Sequence, residues 1–260
     1  MTADVEAVVD LCRRAGAKLM AWRGDANAAA EYPGRPGKIN ADIELHEMMC
    51  TDLAAIAPGI PVISEEDLDH EDRRPSRYWI IDPIDGTASW KGGFAGFVVQ
   101  AALVVDDVPI AGVIHGPALD VTYVAERGRG ATRNGVALPR LSPSGRLVVV
   151  DNYPQPKRAA ALMMAGLPGA TYLESGSLGL KAALVADGTA DLFVKDVIVR
   201  DWDMAPAAVV AAETGAVMEC VPGGPYALSG SIEKPEGVIV ARDADLAARA
   251  RAVLAGREQA

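Results

Sequence analysis

The sequence predicts an α+β half followed by an α/β half, and three patterns carry that prediction. Apolar residues recur at helical spacing through residues 4–23 and again from Asn40 to Ile56. Three β-rich segments then follow one another within residues 96–131, and strands alternate with helices from residue 146 onward. The change of pattern divides the chain into residues 1–140 and 141–260. No linker composition lies between them, so the expectation is one tightly packed unit.

The first helix follows from Val5, Val8, Val9, Leu11, Cys12, Leu19 and Met20 sharing a face. Gly, Pro and Ala dominate residues 24–37, which read as a mobile loop. The second helix ends at Pro58-Gly59. Ile60-Pro61-Val62-Ile63 predicts a short strand leading into Glu65-Glu66-Asp67, and Tyr78-Trp79-Ile80-Ile81 a second, buried strand. The meander comprises residues 97–105, 110–115 and 121–125, broken by Asp106-Asp107 and Gly116-Pro117. Beyond it come a strand at 146–150, helices near 155–165 and 177–187, and a strand at 191–195. A helix at 203–214, strands at 216–220 and 237–241, and a helix at 244–255 complete the order.

Half of the residues are hydrophobic and 23% are charged, a mixture that folds rather than stays disordered. Acids outnumber bases 35 to 25, for a net charge of −10. That balance offers no dense positive field, so neither a nucleic-acid polymer nor a membrane surface is expected as a partner. No apolar stretch approaches the roughly 20 residues of a membrane span. The opening Met1-Thr2-Ala3-Asp4-Val5-Glu6 is acidic where a secretory leader is basic, so the expected location is cytoplasmic. Cys12, Cys50 and Cys220 are odd in number and form no CxxC pair, which agrees with a reducing compartment. His46, His70 and His115 are too few and too scattered for a histidine-based metal site or triad, and Cys50 has no basic neighbour to activate it.

The densest chemical signal is Asp82-Pro83-Ile84-Asp85-Gly86-Thr87 at the end of an apolar strand. Carboxylates at i and i+3 across a tight turn can converge on one hard cation, the carbonyl between them can add an oxygen, and Gly86 lets the backbone approach a ligand. The same letters also spell an ordinary Asp-Pro/Asp-Gly turn. A second acid group, Ser64-Glu65-Glu66-Asp67, closes another strand. A third acid, Asp203, opens an alanine-rich helix with Pro206 in its first turns, where it could be a simple N-cap. Three acid clusters at element ends make a shared divalent-metal site the better account.

These residues resemble the inositol monophosphatase superfamily of magnesium-dependent, lithium-sensitive phosphatases. The likeness rests on Glu65-Glu66, then residues 79–87 (Trp-Ile-Ile-Asp-Pro-Ile-Asp-Gly-Thr), then Trp202-Asp203-Met204-Ala205 with Thr214-Gly215-Ala216. It spans nearly the whole chain and implies a layered αβαβα sandwich, a homodimer, and two or three Mg²⁺ ions acting on a small phosphate ester. Carried onto this sequence, it makes Glu65, Asp82, Asp85, Asp203 and the carbonyl of Ile84 metal ligands. Gly86 and Thr87 would bind phosphate through their amides, and the Thr87 hydroxyl, paired with Asp42, would orient the attacking water. The family has a threonine shortly before that aspartate, whereas this chain has Ile39-Asn40-Ala41; Lys38 resembles the family's nearby lysine but stands at a shortened spacing, so no role is carried onto it. The chemistry implied is in-line attack by metal-activated water without a phosphoenzyme, since the ions offset the charge that repels a nucleophile. A phosphate-binding relative without catalysis is the alternative of another class, and the complete acid set argues against it.

Within the superfamily the sequence leans to the 3′(2′),5′-bisphosphate nucleotidases. Pro61-Val62-Ile63-Ser64-Glu65-Glu66-Asp67, the meander around Pro109-Ile110-Ala111-Gly112, and Gly176-Ser177-Leu178-Gly179-Leu180-Lys181 are similar to that branch. Lys181 could meet a second phosphate or simply be a solvated helix lysine. Against this, Ala88-Ser89-Trp90 departs from the branch, and Asp196 lies seven residues before Asp203, where inositol phosphatases bind substrate hydroxyls. The expectation is a nucleotidase acting on adenosine 3′,5′-bisphosphate, with an inositol or sugar phosphatase as the alternative.

Overall fold

The computed structural model describes residues 3–67, 74–142 and 145–257; His70 lies outside them. Two helices, α1 (Ala3–Ala21) and α2 (Asn40–Ile56), precede β1 (Val62–Ser64), β2 (Arg77–Asp85) and the short α3 (Thr87–Lys91). The meander is β3 (Val98–Val105), β4 (Val108–Gly116), β5 (Val121–Glu126), β6 (Gly130–Arg133) and β7 (Val136–Ala137). Then follow β8 (Leu147–Asp151), α4 (Arg158–Gly166), β9 (Ala170–Glu174), α5 (Leu178–Ala186), β10 (Leu192–Lys195) and β11 (Val199–Arg200). The chain continues through α6 (Asp201–Thr214), β12 (Val217–Cys220), β13 (Glu233–Lys234), β14 (Val238–Ala241) and α7 (Ala244–Arg257).

The first sheet runs in sequence order from β1 to β7, and the second in the order β12-β14-β10-β8-β9. Helices α1 and α2 cover the outer face of the first sheet, α5 and α6 lie between the sheets, and α4 and α7 cover the second. These are the five layers of an αβαβα sandwich. Strand β3 shows why the meander reads as an unbroken apolar run: Val99, Ala101 and Leu103 enter the core under α1 and α2, while Val98 enters the core shared with α5 and α6. A strand covered on both faces has no solvent side to make polar.

Helix α6 belongs to the second half of the sequence yet packs on β2 through β6 of the first sheet. It crosses β4 so closely that a Cβ on Gly112 would overlap the backbone of Pro206. A second crossing joins the halves where Ser177 donates to the Gly96 carbonyl at 2.6 Å, and a Cβ on Gly176 would overlap that carbonyl. Only glycine permits such an approach.

Several boundaries differ from the sequence expectation. Helix α1 stops at Ala21, α4 begins at Arg158, and α6 begins at Asp201. Strand β1 begins at Val62, and β2 continues through the motif to Asp85. The pattern missed α3, β6, β7, β9, β11 and β13, which are five residues or fewer and too short to display a period. Residues 24–37 are not an open loop throughout, because a bridge between Glu31 and Ile39 and a bond from Tyr32 N to Lys38 O close their second part. Among the described residues no helix is long and apolar enough to cross a membrane.

Candidate active site

Asp82 and Asp85 do not flank a turn, as their sequence suggested, but both lie within β2. In a regular strand, residues three apart face opposite sides. Here the register against β3 slips, with Asp82 opposite Gln100 and Asp85 opposite Val98. The bulge holds an extra residue on β2, at the point where Pro83 lacks a ladder N–H, and so turns both carboxylates the same way. Asp203 reaches them from the first turn of α6. Carboxylate oxygens of Asp82, Asp85 and Asp203 lie within 4.8 Å of one another, all buried.

Each acid is oriented by neutral donors. Asp82 Oδ1 accepts from Ile84 N at 3.0 Å. Asp85 accepts from Leu178 N at 3.2 Å and Gly179 N at 2.7 Å, at the start of α5, and from Gln100 Nε2 at 3.2 Å. Asp203 is not the N-cap of α6; that place belongs to Arg200, whose N–H donates to Asp203 Oδ2 at 2.9 Å. Burial first, then repulsion, from Glu65 and Asp85 on Asp82 and from Asp85 and Glu65 on Asp203, raises both well above the usual carboxylate range. Burial likewise lifts Asp85 to about 6, against the bonds from Gly179 and Leu178. Such crowding of like charges is tolerable only with protons or a cation. Asp82 Oδ2 accepts no hydrogen bond from a donor. Three hard oxygens in one small space, one of them buried and unsatisfied, fit a divalent cation of the magnesium kind.

The other side of the site is built differently. Glu65 follows β1 at the mouth, and Lys38 Nζ lies 2.8 Å from both Glu65 Oε1 and Glu66 Oε1. Although burial opposes its charge, the two glutamates hold Lys38 above the usual lysine range. Glu66 is buried, which pushes its carboxyl up to about 7. A cavity of about 640 Å³ opens beside Glu65, lined also by Arg35, Lys38, Arg200, Trp202 and Glu233.

Thr87 opens α3 directly after Gly86, which holds φ 93° and ψ 39°. The Thr87 hydroxyl donates to the Ile84 carbonyl at 3.0 Å and lies 3.4 Å from Asp42 Oδ1. The support missing from Ile39-Asn40-Ala41 comes from the backbone instead: Ile39 N donates to Asp42 Oδ2 at 2.9 Å. Burial raises Asp42 to about 6.

An acid cluster shared between a bulged Asp-Pro-Ile-Asp strand and the first turn of a Trp-Asp helix, on this five-layer frame, agrees with a family model for the inositol monophosphatase family that matches residues 3–256. The chain belongs to the inositol monophosphatase family. It is 28% identical over 221 residues to a 3′(2′),5′-bisphosphate nucleotidase CysQ of Aggregatibacter actinomycetemcomitans, covering 81% of this chain and 82% of that one. It is 30% identical over 238 residues to an inositol-1-monophosphatase of Mesorhizobium japonicum, covering 86% and 87%. Among solved structures, CysQ from Bacteroides thetaiotaomicron matches with a TM-score of 0.78 at 25% identity, covering 92% of this chain and 97% of that one. The IMPase of Thermotoga maritima shares the fold at a TM-score of 0.82 and 24% identity, covering 98% and 99%. Members of the inositol monophosphatase family are metal-dependent phosphatases, and this one is accordingly a hydrolase of small phosphate esters.

Lys181 and Asp196, the two expected substrate contacts, lie in different surroundings. Lys181 is not solvated; it is 1% exposed, with Nζ at 3.3 Å from Asp151 and 3.2 Å from Asn152 and lying over the Phe193 ring. Burial lowers it to about 8, against the charge of Asp151. Asp196 lines a separate cavity of about 330 Å³ with Arg158, Leu162 and Val197. Conversely, Gln100 touches the site and was missed, although a lone amide inside the apolar run Val-Val-Gln-Ala-Ala-Leu-Val-Val was a readable signal.

Proposed function

We propose that this phosphatase hydrolyses adenosine 3′,5′-bisphosphate to AMP and phosphate, with Asp82, Asp85, Asp203, Glu65 and the Ile84 carbonyl holding two or three Mg²⁺ ions. The observation that carries the metal reading is the convergence of three buried carboxylates with Asp82 Oδ2 unpartnered. When bound, the ions supply charge neutralisation at the phosphoryl group and lower the pKa of water.

The protein's own groups do the rest. Amides of Gly86 and Thr87 at the start of α3 hold phosphate oxygens. Thr87 accepts a hydrogen bond from the attacking water, and its hydroxyl proton turns from the Ile84 carbonyl to Asp42, 3.4 Å away. With its carboxyl raised to about 6 by burial, Asp42 can hold that proton near neutrality. The water oxygen bonds to phosphorus as the bond from phosphorus to the nucleotide's 3′ oxygen breaks in line; that oxygen leaves and takes up a proton to become the 3′-hydroxyl of AMP, and no side chain is phosphorylated. Lys181 contributes as the anchor of Asp151 and Asn152, and the product is released in a cytoplasmic homodimer inhibited by lithium.

The nucleotide substrate is supported by the CysQ relatives at 28% to 33% identity. The second reading, an inositol or sugar monophosphate, is favoured by the Mesorhizobium relative. Phosphate release with Mg²⁺, compared between adenosine 3′,5′-bisphosphate and inositol 1-phosphate with and without lithium, separates them. The expected result is at least about tenfold higher kcat/KM for the nucleotide, about 1.4 kcal/mol of discrimination. Preference for inositol 1-phosphate transfers the assignment to the second reading.

A further inference from the structure

Strand β3 carries one polar side chain in an apolar run, and that side chain, Gln100, is fully buried. An amide in such a place is costly unless its hydrogen-bonding groups are used. Gln100 Nε2 faces three acceptors: Asp85 Oδ2 at 3.2 Å, the Trp202 carbonyl at 3.1 Å and the Asp203 carbonyl at 3.3 Å. The Trp202 carbonyl is open to it because Pro206, four residues on, has no N–H to close that turn of α6. Gln100 Oε1, by contrast, has no partner and lies against the first turn of α5, where a Cβ on Gly179 would overlap it.

An unpaired acceptor weakens a core, so a leucine of similar size would serve packing better. What leucine cannot do is join β2 to α6. Leu178 and Gly179 already orient the Asp85 carboxylate, and Arg200 orients that of Asp203. None of those donors links one acid to the element carrying the other. We propose that Gln100 is a positioning residue of the metal centre: its amide holds Asp85 on β2 and the Asp203-bearing turn of α6 at one separation, so that both carboxylates meet the same cation. This rests on the reading that Asp85 and Asp203 bind a divalent ion.

Calorimetric Mg²⁺ titration of the metal-free full chain tests it without any substrate, alongside thermal unfolding in EDTA. Gln100→Leu is expected to keep or raise the metal-free Tm while weakening the Mg²⁺ Kd about tenfold, the low end for groups that support metal ligands. Gln100→Met serves as a second isostere should Gln100→Leu fail to fold. An unchanged Kd in a folded variant overturns the proposal, as does a lowered Tm with unchanged Kd, the signature of a purely structural amide. Asp85→Asn is the control for the underlying reading. Were wild type and Asp85→Asn equally unable to bind Mg²⁺, the metal assignment itself would fall, a result distinct from a tight wild-type site indifferent to Gln100.

Discussion

The two sides of the candidate site hold their acids through different hydrogen-bond donors. Around Asp82, Asp85 and Asp203 the donors are neutral: backbone N–H groups of Ile84, Leu178, Gly179 and Arg200, with the Gln100 amide. Around Glu65 and Glu66 the donor is a full charge, the Lys38 ammonium at 2.8 Å from each. Neutral dipoles orient a carboxylate yet leave its charge for an incoming cation, whereas an ammonium competes for it. On the proposed metal reading, the difference means that the buried side is preorganised for an ion, and that the Glu65–Glu66 side would release Lys38 before contributing fully.

The comparison can be broken most decisively at Asp85. Replacing Asp85 with Asn keeps an acceptor for Leu178 and Gly179 but removes the charge; turnover should fall at least about 10³-fold, about 4 kcal/mol, with the circular dichroism unchanged. Full activity in that variant would remove the buried side from the mechanism. A second test uses pH in the metal-free protein. Asp42 and Asp85 at about 6 and Glu66 at about 7 bind protons more tightly folded than unfolded. Their contribution to stability is therefore complete below the unfolded carboxylate range near 4 and lost as pH rises through about 6 to 7. In EDTA the Tm should fall from pH 5 to pH 7.5, and the Tm gain on adding Mg²⁺ should grow over the same interval; a flat gain would contradict the crowding. The smallest effect is expected at Lys38. Lys38→Met frees Glu65 and Glu66, so a weaker Mg²⁺ step in calorimetry should tighten by a few-fold while the tighter step stays put. Equal movement of both steps would erase the distinction between the sides.

Much of this was legible in the sequence because the acids are clustered locally. Asp82 and Asp85 could be paired from their spacing alone, yet their geometry was misread as a turn; the bulge depends on registry with β3, which the spacing does not encode. Asp42 lacks the threonine that its family places nearby, and its support is the Ile39 N–H, a backbone bond that side-chain identity does not reveal. Lys181 could not be placed from sequence, because its burial depends on Asp151 and Asn152, contributed by the end of β8 and the loop beyond. The five-layer arrangement was readable as a resemblance, while the assignment of α6 to the first sheet required the close approach at Gly112.

The crossing of Gly96 and Gly176 also bears on how the protein is made. A chain synthesised only through β7 already contains Asp82 and Asp85, but not the α5 amides that grip Asp85 or the α6 turn that supplies Asp203. Until those arrive, the two aspartates stand on a half-covered sheet. The pairing Gly96–Ser177 spans 81 positions (177 − 96), the kind of distant closure that slows folding. On the proposed metal reading, both halves of the chain are needed to hold an ion: the first half alone carries the signature acids without the α5 amides or Asp203.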